Sequence, residues 1–189
     1  MNLLKVSLIG ALAALAAGSA EAATNLLTNG GFETGDFTGW SLTGYTGFAG
    51  VSGNFGGVAP QEGAFQYFNG AVGSEGYLSQ AFSDVAGAAY TVTGWAASPF
   101  GGGYFNLLLD SVSFGAASSG QAYTEYSGNF VGSGSDTLTI VSQNGPSYNL
   151  FDNFSVSTVI PEPTTWATML LGFGLCGAVL RRRDGLGDV

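Results

Sequence analysis

Between residues 23 and 158 the chain has no lysine, arginine, histidine, cysteine or methionine. Across all 189 residues the basic side chains are Lys5, Arg181, Arg182 and Arg183, the one cysteine is Cys176, the methionines are Met1 and Met169, and histidine is absent. Each absence removes a chemistry from the central stretch. Without His or Cys there is no Ser-His-Asp triad, no thiol nucleophile and no zinc or copper site of the usual nitrogen and sulfur kinds. Without Lys there is no Schiff base, and without any basic group there is no footprint for phosphate, nucleic acid or anionic headgroups. A single cysteine closes no disulfide within the chain, so packing, with or without a metal, has to hold the fold.

The charges that remain in this stretch are all acidic: Glu33, Asp36, Glu62, Glu75, Asp84, Asp110, Glu125, Asp136 and Asp152. No side-chain cation is there to pair with them, which excludes nucleic acid as a partner. The 32 glycines of the chain raise the question of disorder, but 13% aromatic residues and a regular apolar pattern argue for a packed core. Apolar and polar residues alternate with period two over Phe65–Phe68, Tyr77–Phe82, Ala89–Ala96, Tyr104–Asp110, Ala122–Phe130, Asp136–Ser142 and Phe151–Val156. Gly56-Gly57, Gly101-Gly102-Gly103, Gly132-Ser133-Gly134 and Asn144-Gly145-Pro146 separate them as turns. No window between the two ends has the period of an amphipathic helix. The fold expected over residues 23–158 is one all-β domain, an antiparallel β-sandwich of short strands.

The two ends are of another kind. Met1 to Ala22 carries Lys5, an apolar run from Val6 to Ala17, and Ser19-Ala20-Glu21-Ala22 with small residues where a signal peptidase reads. This predicts a secretory signal helix over residues 1–22, cut after Ala22. At the other end come Pro161-Glu162-Pro163, Thr164-Thr165, Trp166-Ala167, an apolar run to Leu180 and then Arg181-Arg182-Arg183. The 15 residues from Trp166 to Leu180 make about 22 Å of helix at ~1.5 Å per residue, short of the roughly 30 Å hydrocarbon core of a bilayer. The arginines hold that end in the cytoplasm, and on these features alone the segment is a weak C-terminal transmembrane anchor.

The order of the elements from Val159 to Arg183 resembles the PEP-CTERM sorting signal, in the variant where Trp166-Ala167 follows Pro161-Glu162-Pro163 by two residues. The resemblance implies an exosortase in the inner membrane of a Gram-negative bacterium as partner, cleavage near the motif, and release or transfer of the protein outward to the cell surface or extracellular space. Residues 184–189 form a tail beyond the arginines, where such signals usually stop sooner. Such a signal works as an address, transiently anchored and then removed.

A second resemblance covers the domain. Asn25-Leu26-Leu27-Thr28-Asn29-Gly30-Gly31-Phe32-Glu33, followed by Gly39-Trp40, is similar to the opening of jelly-roll carbohydrate-binding modules of the galactose-binding-like group. Leu78-Ser79-Gln80-Ala81-Phe82 and the closing Leu150-Phe151-Asp152-Asn153-Phe154-Ser155-Val156 follow in the order that group shows. The resemblance implies a jelly roll and a structural calcium held by Glu33 and Asp152. Independently, Asp152 lies between Phe151 and Phe154 in a strand that should pack, and a buried carboxylate there needs compensation that no Lys or Arg supplies. Calcium, which takes oxygen ligands, is one solution. Backbone N–H groups at loop edges are the other.

Sugar rings stack on flat apolar surfaces, so exposed sheet-face aromatics are the candidates for a glycan site. Tyr90, Val92, Gly94 and Ala96 share one face, which leaves Trp95 on the other as first candidate. Phe105, Leu107 and Leu109 face inward, so Tyr104 and Asn106 face out; Tyr123, Glu125 and Tyr126 follow. The site set is Trp95, Tyr104, Asn106 and Tyr126, with Trp40 read as core. Three functions remain. One is an exported, non-catalytic surface or matrix protein associated with extracellular polysaccharide or biofilm, possessing a glycan site. The second is a purely structural surface protein, and the third a glycosidase that uses carboxylates alone.

Overall fold

A computed structural model describes residues 24–118, 120–145, 147–159 and 170–174. Ten strands occur among them: β1 (Ser41–Gly44), β2 (Ala49–Ser52), β3 (Gln66–Asn69), β4 (Gly76–Ser83), β5 (Ala89–Ser98), β6 (Tyr104–Leu109), β7 (Val112–Ser118), β8 (Gln121–Val131), β9 (Ser135–Gln143) and β10 (Asn149–Thr158). They form two antiparallel five-stranded sheets, ordered β1-β4-β9-β6-β7 and β2-β3-β10-β5-β8. This is the expected all-β sandwich. The seven alternating stretches correspond to β3, β4, β5, β6, β8, β9 and β10, while β1, β2 and β7 are additional.

Alternation builds the core because successive side chains of a strand face opposite ways. From the first sheet, Leu78, Phe82, Phe105, Leu107, Leu138 and Ile140 point inward; from the second come Tyr67, Tyr90, Val92, Ala96, Phe151, Phe154 and Val156. Each large apolar side chain buried this way stabilises the fold by about 1.5–3 kcal/mol. Aromatic rings run through the middle in sequence, with centroid separations of 5.5 Å (Trp40 to Phe32), 5.7 Å (Phe32 to Tyr67), 5.3 Å (Tyr67 to Phe151) and 5.6 Å (Phe151 to Phe105). Trp40 is core, as expected from the sequence.

The opening motif is a latch onto the last strand. Asn25 donates from Nδ2 to the Phe154 carbonyl (2.9 Å) and accepts the Val156 N–H (2.9 Å), and Phe154 N–H reaches the Gly30 carbonyl (2.9 Å). A Cβ at Gly30 would overlap the Phe154 carbonyl, and one at Gly94 would overlap the Phe154 ring. Phe154 enters the core because a bulge between Asp152 and Ser155, with Asn153 at φ 50°, shifts the register of β10 against β5. Asp152 therefore stays on the outer face while Phe151 and Phe154 both point in.

Residues 170–174 are helical and their large side chains are exposed. Among the described residues no helix is long and apolar enough to cross a membrane. The signal helix over residues 1–22 and most of the hydrophobic segment from Trp166 to Leu180 lie outside the described residues.

Candidate functional site

The outer face of the first sheet carries a shallow groove of about 540 Å³. Strand register lays a row of side chains across it. Tyr77 of β4 stands opposite Val141 of β9, Val141 opposite Asn106 of β6, and Asn106 opposite Ala116 of β7. Tyr104 stands opposite Gln143 and Ser118 in the next row. Glu75, just before β4, ties the rows together. Its carboxylate accepts hydrogen bonds from the Tyr77 hydroxyl and, at 2.6 Å, from the Tyr104 hydroxyl. Tyr104 also lies 3.2 Å from Gln143 Oε1, but a phenol has one proton and the shorter contact takes it. Asn106 Oδ1 accepts from Ser113 at 2.6 Å.

These bonds set the charge of the groove. The Tyr104 hydrogen bond, with that of Tyr77, holds the Glu75 carboxyl below the usual range. The same contacts with Glu75 push Tyr104 up to about 12 and raise Tyr77. Glu75 is therefore ionised, and both phenols protonated, through the neutral and mildly acidic range. The two hydroxyl ends are held by a carboxylate they share, beside polar groups of the same face.

Of the four aromatic-site residues expected from sequence, Tyr104 and Asn106 line this groove. Trp95 is on the other sheet, half-buried on its outer face between Glu125 of β8 and Asp152 of β10. Tyr126 lies inside rather than on a surface: its ring meets Phe105 edge-on at 5.6 Å within the sandwich, and its hydroxyl donates to Gln121 (3.1 Å). The four do not meet in one place. Glu75 and Tyr77, absent from the sequence-based set, also line the groove, and Gln143 stands beside Tyr104; strand order alone brings them there.

Glu33 and Asp152 do come together. They line one cleft of about 300 Å³ with Gly31, Glu62, Gly63 and Asn153. Asp152 is completely buried, and its oxygens accept from the backbone N–H groups of Gln61 (2.8 Å), Glu62 (3.1 Å) and Asn153 (2.7 Å). Glu33 accepts from Ala64 N–H (3.0 and 3.1 Å) and Phe65 N–H (3.2 Å). Burial pushes the Asp152 carboxyl up to about 6 against its backbone hydrogen bonds, and the nearby Glu33 charge adds to the rise. Gly63 sits at φ +67°, and a Cβ there would overlap the Glu33 carboxylate, so only glycine lets the backbone approach this closely. The donors here are all oxygen, the set a hard cation takes. Among the described residues, no three Asp, Glu, His or Cys side chains group closely enough to hold a metal by themselves. A calcium here would be held by Glu33 and Asp152 with backbone carbonyls or water.

A separate acidic cluster was not legible in sequence. Asp84 follows β4, Asp110 forms the β6–β7 turn, and Asp136 begins β9. Asp136 is buried and accepts from the Ser133 hydroxyl and, at 3.1 Å, from its N–H. Sharing a hydrogen with Asp136 raises Asp84; burial first, then Asp136, raises Asp110. Burial opposes ionisation of Asp136, but hydrogen bonds from Asp84, Ser133 and Asp110 outweigh it and bring the group down to about 2.

Comparison with known proteins gives two results. Residues 159–183 match the PEP-CTERM protein-sorting motif. That motif marks an exported protein that passes through a membrane-anchored stage and is processed by an exosortase. No curated protein matches the chain. Among solved structures the chain is similar to the carbohydrate-binding module TmCBM61, solved in complex with β-1,4-galactotriose (20% identity, 72% of this chain and 99% of that one, TM-score 0.57). It is also similar to the CBM22-1 xylan-binding domain of Paenibacillus barcinonensis Xyn10C (18%, 76% and 100%, 0.53). A third similar structure is the K3 cleaved adhesin domain of Lys-gingipain from Porphyromonas gingivalis w83 (12%, 71% and 96%, 0.52). At these identities the likeness establishes the jelly-roll sandwich fold.

Proposed function

We propose that this exported protein presents a non-catalytic glycan-binding domain, with the sugar chain lying in the groove over Tyr77 and Tyr104. The observation that carries this is the locked pair: two phenols of one open sheet face, on β4 and β6 with β9 between them, tied to one carboxylate, with the Asn106 amide in the groove and the Gln143 amide beside Tyr104. Flat rings take the apolar faces of sugars and the amides orient hydroxyls. The carbohydrate-binding modules of the same fold support the reading. Glycoside hydrolysis takes two carboxyl groups flanking the bond, and Glu75 is the one acid lining the groove. After sorting, the protein acts at the cell surface or in the extracellular matrix, attached to polysaccharide there.

The test is calorimetry on the full-length chain in mild detergent, with β-1,4-linked galacto-, xylo- and gluco-oligosaccharides. Binding to at least one of them, lost in Tyr104→Ala with the circular dichroism unchanged, is the expected result. Undiminished binding in that variant would move the site elsewhere, with Trp95 next in line.

For the second cleft the reading is a structural calcium held by Glu33 and Asp152. Its support is a fully buried carboxylate beside a second one, with no cationic side chain among the described residues. Bound calcium would join the opening motif to β10. Calcium added to chelator-treated protein should raise the melting temperature, and less so in Glu33→Gln; no shift in the unmodified protein would remove calcium from the account.

A further inference from the structure

Glu75 is the one full charge in the groove, and among the described residues no lysine or arginine exists to neutralise it. The hydroxyl hydrogen bonds of the groove lean in the same direction, leaving the N–H groups of the Asn106 and Gln143 amides as its side-chain donors. The hydroxyl protons of Tyr77 and Tyr104 are both committed to Glu75, and that of Ser113 to Asn106. A carboxylate offers about four lone-pair sites, and the phenols take two. Glu75 therefore still asks for donors, while the hydroxyl groups around it have already given theirs. Gln143 Oε1, with a 3.2 Å contact from an already committed phenol, is a further acceptor at the same spot.

A ligand suits this place if it brings N–H donors and positive charge. Hydrogen bonds between an ammonium and a carboxylate are shorter and about twice as strong as neutral ones. A sugar carrying carboxylate or sulfate would bring like charge to Glu75, in a domain whose nine charged side chains are all acidic. The field of the other eight acts in the same sense, raising the local concentration of cationic chains and lowering that of anionic ones. The β7 flank, Ala116, Ala117 and Ser118, is too small to obstruct a polymer entering from that side.

We infer that the groove selects polysaccharides with free, protonated amino sugars, and that Glu75, positioned by Tyr77 and Tyr104, is the counter-ion of the sugar ammonium. The inference rests on the groove being the glycan site. The two are separable, because a neutral sugar tests the platform and an amino sugar tests the charge.

The experiment titrates full-length protein in mild detergent with three oligosaccharides: a glucosamine oligomer, its fully N-acetylated counterpart, and an oligogalacturonate. In mildly acidic buffer the glucosamine oligomer should bind about tenfold more tightly than the N-acetylated one, and the galacturonate not at all. In alkaline buffer, where the sugar amine is neutral and Glu75 still ionised, the advantage should vanish. Glu75→Gln, which also loosens the tyrosine pair, should weaken both oligomers and bring the ratio of their affinities to about one. Equal affinity for the amino and N-acetylated oligomers, or a preference that survives Glu75→Gln, overturns the charge selection and leaves the groove as a neutral-glycan site. Binding that is indifferent to Tyr104→Ala, or absent for every sugar with intact folding, overturns the groove itself.

Discussion

The two outer faces of the sandwich are made from the same residue types and are used differently. On the second sheet, residues 53–65 fold back over the strands. Phe55 stacks on Phe68 at 4.2 Å and meets Tyr148 at 4.7 Å; Gln66, fully buried, donates to the carbonyls of Gly53 (2.6 Å) and Val58 (2.8 Å) and accepts from Tyr123 (2.5 Å); Asp152 is sealed beneath the Gln61 and Glu62 amides. On the groove of the first sheet no such cover lies among the described residues. Tyr77, Tyr104, Asn106 and Glu75 remain reachable, with Tyr104 39% exposed. The difference teaches where to look for function in a chain without His, Cys, Lys or Arg in its domain: polar groups under a cover serve the fold, and those on the bare face are free to meet a ligand.

Substitutions can break that division at several points. The largest effect belongs to Asp152→Ala, which strands three backbone N–H groups in the interior and should cost about 3 kcal/mol in urea unfolding followed by tryptophan fluorescence. Stability unchanged by that substitution would mean the covered face is not a folding element. Phe55→Ala removes the ring that fastens the cover and should cost about 2 kcal/mol in the same assay, with binding in the groove retained. Tyr104→Ala is the mirror image, with stability altered by less than about 1 kcal/mol and glycan affinity down at least ~10-fold, as read by calorimetry.

A pH series sharpens the contrast further. Asp152 has its folded pKa raised from 3.8 to about 6, so without calcium its contribution is full below the lower value and is lost as pH rises through the upper one. Asp84 and Asp110, also raised, act in the same sense. The calcium-free melting temperature should fall by several degrees over that range, whereas bound calcium, which needs the carboxylate, should flatten or reverse the trend. Trp95→Ala, half-buried on the covered sheet, should cost about 1 kcal/mol of stability and leave groove binding unchanged.

How much of this could be read in advance follows the position of each strand. Central strands must bury one face, so Phe105-x-Leu107-x-Leu109 and Leu138-x-Ile140 announce themselves by alternation. Strands β1, β2 and β7 sit at sheet edges. Val112-Ser-Phe-Gly-Ala-Ala-Ser118 and Ser41-Leu-Thr-Gly44 have little to bury and carry no such pattern. The edge strand β8 is legible only because Tyr126 and Phe130 pack against the core. Alternation also placed Tyr104 and Asn106 on an outer face, since their neighbours are plainly core. It could not say that Trp95 lies on the other sheet, nor that Glu75 and Tyr77 reach Tyr104 across β9, because strand order is set by long-range pairing. Tyr126 shows the limit within a strand: in Tyr123-Thr-Glu-Tyr126 two tyrosines an odd number of residues apart cannot share a face, so one turns into the sandwich and the other, Tyr123, lies under the cover against Gln66.

The handover from domain to tail has a mechanical side. Strand β10 ends at Thr158, and the sorting motif begins one residue later. Strand β10 is hydrogen-bonded to β5 from Leu150 to Thr158 on one side; on the other it pairs with β3 over Asn149–Phe151, and Asn25, Leu26 and Gly30 hold it at Phe154 and Val156. Tension arriving through an attached tail therefore enters a strand clamped on both flanks. Its ladder bonds are sheared together, whereas a strand such as β1 or β7, bonded on one side, would peel open bond by bond. The part of the domain that would bear the load first is thus the part least able to unzip, which suits a protein that passes through a stage anchored by that tail.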